Sequence, residues 1–382
     1  MKKIVMKKNR ISMIWKSIGL ALLGGSLCAH AGGFEQSNQS AAAVGMANAF
    51  VATANDASAV VYNPSGMAWL QGVNVTAGLD LEYRNSSVKL PAGIASNGGS
   101  EPTVGYVFAT WSPLDSDLSA GIGFAPLYYL NNDWSTGFGT TAGISKLTVD
   151  HLSGDVVYAL NSNLALGLGS DWYISRVNLT QGAKSFRGNN FTGFGGHVSL
   201  MWKPAYAWSV GAMLRSGASI NVAGKNSDTM SYKLPDQATF GIAHDFYDVW
   251  HLETDVKWTR WSALKDMSVK TAGIVTQRNA LNLRDTLTVM AGLTWTWREN
   301  TQLRFGYAYD QGANKATDFN PMMADQDGHK LSMGVGADVY NMHIDLAYQY
   351  GLYSKKTATG AFAGTYRDRR QSMLLSVSKK LE

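Results

Sequence analysis

Cysteine is almost absent from this 382-residue sequence, in which Cys28 is the only one. Cys28 lies in an N-terminal segment that we expect to be removed. The mature chain would then have no disulfide, no thiolate nucleophile and no cysteine-bound metal. A chain without cysteine suits export through an oxidising compartment, where free thiols can mispair.

Charged residues are also scarce, at 16% of the sequence, and the excess of positive charge is confined to the N-terminus. The net charge of +5 comes from 33 basic and 28 acidic residues, and six of the basic ones lie in the first 16 residues. Without those six, 27 basic residues face 28 acidic ones, which leaves −1. The composition therefore gives no basis for a nucleic-acid partner.

Long hydrophobic runs are missing after the N-terminal segment, since no later stretch approaches 18 consecutive apolar residues. Membrane-spanning helices are therefore excluded from the mature chain. If the chain lies in a membrane, it must do so as a closed β-barrel, because only closure satisfies the backbone groups of every strand.

The N-terminal segment itself has the composition of an export signal. A basic head precedes an apolar run from Ile18 to Leu27, and Ala29-His30-Ala31 forms a small-x-small cleavage pattern. We expect a signal peptide over residues 1–31 and a mature chain that starts at Gly32. A transmembrane helix is disfavoured because the run is too short, and a lipoprotein anchor on Cys28 because Leu27 precedes it.

From residue 73 onward the dominant pattern is a period of two, which is typical of strands with one apolar and one polar face. In one example, Trp250, Leu252 and Val256 alternate with Glu253 and Asp255. We find fourteen such segments, centred near residues 79, 107, 122, 151, 170, 197, 212, 241, 255, 291, 306, 334, 346 and 375. The sequence therefore predicts an all-β fold, a 14-stranded antiparallel transmembrane β-barrel over residues 73–382. A soluble β-sandwich also alternates, but the strand number and the glycine-rich polar faces favour the barrel.

The connections support this interpretation. Short polar turns such as 161–163 and 298–300 contrast with long stretches over 262–285 and 351–369, as in outer-membrane barrels. Tryptophans near the segment ends predict interfacial girdles, and they are Trp111, Trp202, Trp208, Trp250, Trp261 and Trp297.

Residues 32–72 break the alternation. This stretch is rich in Ala and Ser and carries only Glu35 and Asp56 as acids, unlike a solvated tail. Asn63-Pro64 reads as a turn or a helix start. We expect short helices packed inside the barrel as a plug, and the alternative is a flexible N-terminal tail.

Several stretches resemble the FadL/TodX family of outer-membrane transporters for fatty acids and aromatic hydrocarbons. The resemblance spans the mature chain, and its strongest part is Asp56-Ala57 followed by Tyr62-Asn63-Pro64-Ser65-Gly66, similar to the family's hatch. The other stretches are Gly33-Phe34 at the mature start, Leu234-Pro235-Asp236, Trp258-Thr259-Arg260-Trp261-Ser262 and Arg304-Phe305-Gly306-Tyr307-Ala308-Tyr309-Asp310. The sequence departs from the family at its end, Lys379-Lys380-Leu381-Glu382, where an aromatic residue is usual.

The resemblance implies a barrel closed by the hatch of residues 32–72, with Asn63, Pro64 and Ser65 as the hatch motif. It also implies a ligand pocket in the lumen near the mature N-terminus, at Gly32, Gly33 and Phe34. Release would be sideways, through a kink in the third strand. In that strand Gly121 and Gly123 lack side chains and Pro126 has no N–H, so we expect pairing to fail locally.

The residues after this kink have two interpretations, an exposed landing surface for ligand or an aromatic girdle. They are Leu127, Tyr128, Tyr129, Leu130 and Trp134.

A fatty acid carries a carboxylate that a buried cation could hold, and Arg176 is the first candidate because it lies late in the fifth segment and matches a basic position of the family. Lys257, Arg260 and Arg304 are alternatives, for which salt bridges to Glu253, Asp255 or Asp310 are the preferred interpretation. An aromatic hydrocarbon would need no such cation.

Two other classes of function compete with transport. An outer-membrane enzyme would need a nucleophile with a base, but no GxSxG or metal-spaced histidine pair is present. A general porin would lack the plug, and an adhesin role of the loops is compatible with transport. We expect no enzyme activity, no cofactor and no metal, a monomeric state, and outer-membrane lipids, lipopolysaccharide and the barrel-assembly machinery as partners.

Overall fold

The computed structural model describes residues 33–99, 103–141, 143–278, 281–314, 319–323 and 325–381. The predicted signal peptide and Gly32 lie outside these residues. Fourteen antiparallel strands form one closed wall. They are β1 Gly72–Leu90, β2 Thr103–Ser112, β3 Leu118–Asp133, β4 Ile144–Asn161, β5 Leu164–Gln181, β6 Lys184–Ala205, β7 Trp208–Arg215, β8 Gln237–Phe246, β9 Trp250–Thr259, β10 Thr286–Arg298, β11 Thr301–Asp310, β12 Gly328–Val339, β13 Met342–Tyr353 and β14 Gly364–Leu381.

Each strand pairs with the next along the chain, and the ring closes where β14 pairs with β1. That ladder runs from Val73 opposite Leu381 to Lys89 opposite Thr365. The closed barrel is the architecture that the alternation predicts, and all fourteen predicted centres fall within these strands.

The two faces of the wall carry opposite chemistry. On β9, Trp250, Leu252 and Val256 point outward and are exposed, whereas Glu253 and Asp255 point inward and are buried. The other strands repeat this arrangement. An apolar exterior around a charged interior is the reverse of a soluble protein and fits a barrel surrounded by lipid.

The two ends of the barrel differ. At one end, which we call the short-turn end, the strands are joined by short connections, namely 113–117, 162–163, 206–207, 247–249, 299–300 and 340–341. At the other end, the loop end, they include 91–102, 216–236, 260–285 and 311–327. The last predicted long stretch, 351–369, is shorter than expected, because β13 continues to Tyr353 and β14 begins at Gly364.

Five of the six predicted girdle tryptophans are exposed near the short-turn end, namely Trp111, Trp202, Trp208, Trp250 and Trp297. They form one belt of the kind that marks a membrane interface. Trp261 is the exception: it lies in a loop after β9 and is fully buried inside the barrel.

The loop end carries additional small elements. Its short strands are Gly93–Ser96, Ser219–Gly224, Asp228–Lys233, Val269–Thr271, Ile274–Gln277 and Lys356–Ala358. Its helical turns are Ser135–Phe138, Gly139–Thr141, Trp261–Ala263, Pro321–Met323 and Gly360–Phe362. None of the helices among the described residues is both long enough and apolar enough to cross a membrane.

Residues 33–71, here called the inner segment, lie within the barrel. They contain α1 Ala41–Gly45, α2 Ala59–Tyr62 and a 3₁₀ helix, Pro64–Trp69. Helix α1 packs against β12 and β13, and its residues are buried. Small side chains permit this close approach, because the lumen is crowded by side chains from the wall.

Candidate ligand-transport site

The inner segment begins as an added strand on the edge of β3. The Gln36 N–H donates to the Leu127 carbonyl at 2.8 Å, and the Tyr129 N–H donates to the Phe34 carbonyl at 2.9 Å. The Phe34 ring packs against the rings of Tyr128 and Trp261, with centroids 5.8 and 4.9 Å away. Two of the predicted pocket residues, Gly33 and Phe34, therefore lie at this junction.

The Trp261 ring leaves room only for glycine at position 33. A Cβ added to Gly33 would lie 2.2 Å from that ring, and the backbone has a φ of +74°. Any larger residue would push the start of the inner segment away from Trp261. This contact explains why Trp261 is buried rather than part of the girdle.

Two carboxylates on β9 bind the middle of the inner segment. Asp255 Oδ2 accepts the N–H groups of Phe50 and Val51 at 2.9 and 3.0 Å. Glu253 Oε1 accepts the N–H of Ala52 at 2.6 Å. Three consecutive buried N–H groups thus find their acceptors on β9, and these contacts fix the segment to the wall.

The Asn63-Pro64-Ser65 motif ties the segment both to itself and to β6. The Asn63 side-chain amide donates to the carbonyls of Val51 at 2.6 Å and Leu200 at 3.0 Å, and its oxygen accepts the Ser65 N–H. The Ser65 and Ser199 hydroxyls are 2.8 Å apart. Asn63 is the N-cap of the 3₁₀ helix and Pro64 its first residue, as expected for a helix start.

Gly121 and Gly123 have a different role from the one predicted. Both stay paired with β2 and β4, so the ladder does not fail at these positions. A Cβ on Gly121 would lie 2.5 Å from Met67 Sδ, and one on Gly123 2.8 Å from the Val60 side chain. These glycines make room for the inner segment.

The wall is interrupted just beyond them, at Pro126. The β2–β3 ladder extends only from Trp111 opposite Ala120 to Val107 opposite Phe124, and the β3–β4 register shifts after Pro126. Beyond Phe124, β2 pairs with β1 but not with β3. The open edge of β3 is the one that the inner segment occupies.

We call this interruption the wall gap. A cavity of about 850 Å³ lies there, lined by residues of both faces of the wall, including Leu79, Tyr106, Phe124 and Pro126. At the gap, the apolar exterior therefore reaches Tyr106, an inward-facing residue of the same apolar cluster as several inner-segment residues.

An apolar cluster occupies the loop-end half of the lumen, beside the gap. Leu127, Tyr128 and Leu130 belong to it and are buried, while Trp134 is buried in a neighbouring cluster with Tyr366. Neither interpretation, landing surface or girdle, holds for these four buried residues, because here β3 pairs with the inner segment at one edge and with β4 at the other. Tyr129 is half-buried and lines the wall gap. The other members of this loop-end cluster are Phe34, Leu147, Val149, Tyr173, Val177, Leu179, Phe186, Ala218, Ile220, Val222, Met230, Tyr232, Leu234, Trp261, Leu264, Met267, Val269, Leu283, Ala313 and Met323.

A small cavity of about 70 Å³ lies against the inner segment, lined among others by Leu127, Met213 and Arg215. It holds a few waters at most and is far below the size of a pocket for a drug-sized ligand. An acyl chain could be accommodated only if the side chains of the loop-end cluster moved apart.

Arg215 is the buried cation of this cavity, and sequence analysis missed it. Its Nε is 3.3 Å from Asp171 Oδ2, but Nε and one terminal nitrogen have no hydrogen-bond acceptor. Asp171 is also bound by His151 at 2.6 Å and His197 at 3.1 Å. Arg215 therefore keeps donors available to a ligand, which is costly for a buried guanidinium.

Arg176, the cation predicted for the lumen, lies on the wrong face. Its side chain points outward, is 58% exposed and pairs with Asp150 at 2.6 Å. The prediction that a buried ligand contacts Arg176 is therefore wrong.

The three alternative cations all have partners, although not the predicted acids. Lys257 binds Glu35 of the inner segment at 2.8 Å, Arg260 binds Asp236 at 3.3 Å, and Arg304 binds Asp345 at 2.5 Å. In the described part of the chain, no group of three or more His, Cys, Asp or Glu residues could hold a metal ion.

Comparison with known protein families gives one match over most of the chain. The family model described as outer membrane protein transport protein (OMPP1/FadL/TodX) matches residues 22–215 and 185–365. The long-chain fatty acid transport protein of Salmonella typhi is 24% identical over 323 residues, covering 76% of this chain and 70% of that protein. Its namesake in Escherichia coli O6:H1 is 21% identical over 355 residues, covering 84% and 78%.

Solved structures show the same fold. A Pseudomonas aeruginosa FadL homologue superposes with a TM-score of 0.82 at 17% identity, covering 92% of this chain and 100% of that one. The P. putida toluene transporter TodX superposes with a TM-score of 0.67 at 18% identity, covering 85% and 94%. At such identities the likeness establishes the barrel and not the ligand.

Proposed function

Because this chain belongs to the outer-membrane transport proteins of the FadL/TodX family, and so resides in the outer membrane of a Gram-negative cell, we propose that it admits long-chain fatty acids or similar hydrophobic molecules. The observation that carries this proposal is the arrangement of three features. They are an apolar cluster at the loop end, a cavity with the available donors of Arg215, and the wall gap, and β3 contributes residues to all three.

In this proposal Arg215 binds the carboxylate while the acyl chain replaces contacts within the loop-end cluster. A buried guanidinium with vacant donors gains charge-assisted hydrogen bonds from a carboxylate. In this proposal Gly33 and Phe34 line the route beside the Trp261 ring, against which both lie. Gly32 lies outside the described residues, and its role as a ligand contact stays a prediction.

The inner segment acts as a hatch, and we propose that its start controls the wall gap. When residues 34–36 leave the edge of β3, that edge and the gap become accessible from the lumen. The ligand then leaves sideways past Pro126 into lipid. Gly121 and Gly123 contribute by seating the hatch rather than by opening the wall.

Hydrophobic partitioning gives direction to this step. Each CH₂ returned to water would cost about 0.8 kcal/mol, so release into the periplasm would be strongly unfavourable for a long chain. A lateral exit into the membrane avoids this cost and needs no energy source. The barrel would therefore work as a passive conduit rather than as an enzyme.

An aromatic hydrocarbon is the second candidate ligand, since TodX is a toluene transporter. The small volume of the lumen cavity favours it, because less rearrangement is needed than for an acyl chain. Such a ligand would use the apolar lining and leave the available donors of Arg215 unused.

We further propose that the protein is a monomer, because the ring of strands closes within one chain. Its other partners would be outer-membrane lipids, lipopolysaccharide and the machinery that assembles barrels.

The test is binding of a labelled long-chain fatty acid and of toluene to purified Arg215→Gln and to the wild-type protein. Loss of charge-assisted hydrogen bonds should weaken fatty-acid binding by about 10- to 100-fold and leave toluene binding unchanged. Arg176→Gln is the matched control, because it removes an outward-facing cation, and Arg215→Lys should restore part of the affinity.

Uptake by cells with and without the protein completes the test. Equal fatty-acid binding by Arg215→Gln and the wild type would refute the role of Arg215. If toluene alone is taken up, the aromatic candidate replaces the fatty acid. Steady ion conductance of the wild-type protein in a planar bilayer would show that the lumen is open and that the hatch interpretation is wrong.

A further inference from the structure

Three cations form a cluster on the outer surface of the wall, near the loop end. Lys146 on β4, Arg176 on β5 and Arg187 on β6 are all exposed. They line one groove of about 440 Å³. We call this feature the basic groove.

Strand register places polar side chains between these cations. Asn178 lies opposite both Lys146 and Arg187, and Arg176 lies opposite both Thr148 and Asn189. Because paired residues point to the same side of a sheet, the groove presents cations interleaved with amide and hydroxyl groups. This mixture of donors suits the oxygens of an anion.

The groove has little counter-charge of its own. Asp150 pairs with Arg176 at 2.6 Å. Among the residues that the structure describes, Lys146 and Arg187 have no ion-pair partner. Two positive charges are therefore held among the polar side chains of the groove without an acidic partner.

Directly toward the short-turn end, the same strands present a continuous apolar surface. Trp172, Phe191 and Phe194 are 52%, 51% and 69% exposed. Trp172 lies four residues before Arg176 on β5, or roughly 13 Å along the strand. An apolar surface suited to acyl chains thus lies on the short-turn side of the groove, and the anion-binding groups lie in the groove itself.

We propose that the basic groove binds the phosphate groups of lipopolysaccharide in the outer leaflet, while the acyl chains of that lipid cover Trp172, Phe191 and Phe194. The loop end of an outer-membrane barrel faces outward, so the groove lies at the level of this leaflet's headgroups. Basic side chains at a membrane surface attract acidic headgroups. This inference rests on the outer-membrane location and not on the transported ligand.

The bound lipid would stand at the border of the wall gap, because Lys146 and Thr148 line both the basic groove and the gap cavity. A free fatty acid leaving the gap carries the same kind of charge in its carboxylate. The width of the groove, across three strands, favours the larger headgroup with its phosphates.

The test compares the wild-type barrel with Lys146→Gln/Arg187→Gln by native mass spectrometry in detergent. The probes are lipid A, dephosphorylated lipid A with the same acyl chains, and oleate. Loss of two interfacial cations should weaken lipid A binding by about 30-fold and leave the dephosphorylated lipid unchanged. The control, Lys233→Gln/Lys270→Gln, removes two exposed cations from loop strands and should bind lipid A normally.

Heat-modifiable migration in gel electrophoresis verifies that each variant is folded, and Lys146→Arg/Arg187→Lys should bind like the wild type. Equal binding of lipid A by the double variant and the wild type would overturn the proposal. So would equal affinity of the wild type for the two forms of lipid A. If the double variant loses oleate and keeps lipid A, the groove holds a carboxylate and the phosphate assignment is wrong.

Discussion

The two carboxylates on β9 allow a quantitative prediction about the hatch. In Asp255→Ala, the N–H groups of Phe50 and Val51 lose their shared acceptor at 2.9 and 3.0 Å while remaining buried. Each unsatisfied N–H costs about 1–3 kcal/mol. Docking of the inner segment should therefore weaken by about 2–6 kcal/mol, and its undocked fraction should rise by about 30-fold to 10⁴-fold.

Planar-bilayer recording measures this change directly. The wild-type barrel should be closed, and Asp255→Ala should show ion-conducting openings of long duration. Asp255→Asn keeps an acceptor oxygen at the same place and should have a smaller effect. Asp248→Ala, in the turn before β9, is the control, because Asp248 is exposed and accepts a hydrogen bond from Tyr206 rather than from the inner segment.

Hydrogen exchange provides an independent measurement, since the amides of Phe50 and Val51 should exchange faster only in the Asp255 variants. The reasoning is refuted if Asp255→Ala remains closed and both amides keep their wild-type protection. In that case the inner segment would be held by packing, and the carboxylates would be incidental.

Two further predictions concern the wall gap and a loop. Gly105→Trp fills the gap from outside and should reduce fatty-acid uptake at least tenfold while fatty-acid binding is unchanged. Gly154→Trp, also on the outer face, is the control and should leave uptake at the wild-type rate. Unimpaired uptake by Gly105→Trp would exclude this exit. Burial raises the pKa of Asp325 to about 8, where its carboxyl accepts the Ala313 N–H. The folded loop then holds a proton that the unfolded chain loses above about pH 4, so loop stability should be greatest below pH 4 and fall as the pH rises toward 8. Asp325→Asn should flatten this profile, as read by exchange of the Ala313 amide, and an unchanged slope would contradict the assignment.

The barrel was predictable from the sequence because one physical requirement acts on every strand. Lipid outside and a polar lumen impose a period of two, and that period is present in each of the fourteen segments. The inner segment was predictable because it breaks the same period with small, nearly uncharged residues.

The alternation also predicts which face of the wall a charged side chain occupies, as Arg176 and Arg215 show. Arg176 shares its alternation with Trp172 and Ile174, which marks it as outward-facing. Arg215 alternates with the outward Leu214 and follows Met213 by two positions, which marks it as inward-facing. Family resemblance pointed to Arg176, whereas alternation alone favours Arg215.

Other features lay beyond alternation. After Pro126, β3 is covered on both sides, so Leu127, Tyr128 and Leu130 are all buried and no period of two remains. Trp261 lies in a loop, where its burial depends on Gly33, more than 200 residues earlier in the chain. Contacts of that kind are set by closure of the whole barrel and leave no local pattern.

The ladders of the wall differ greatly in length, and this has a mechanical consequence. β14 and β1 are joined from Val73 to Lys89, whereas β2 and β3 are joined only from Val107 to Trp111. Under lateral tension the β2–β3 ladder carries the same force over far fewer hydrogen-bonded residue pairs. The barrel should therefore yield there first and keep its circumference elsewhere, so that swelling or compression of the surrounding bilayer would be felt mainly beside β3.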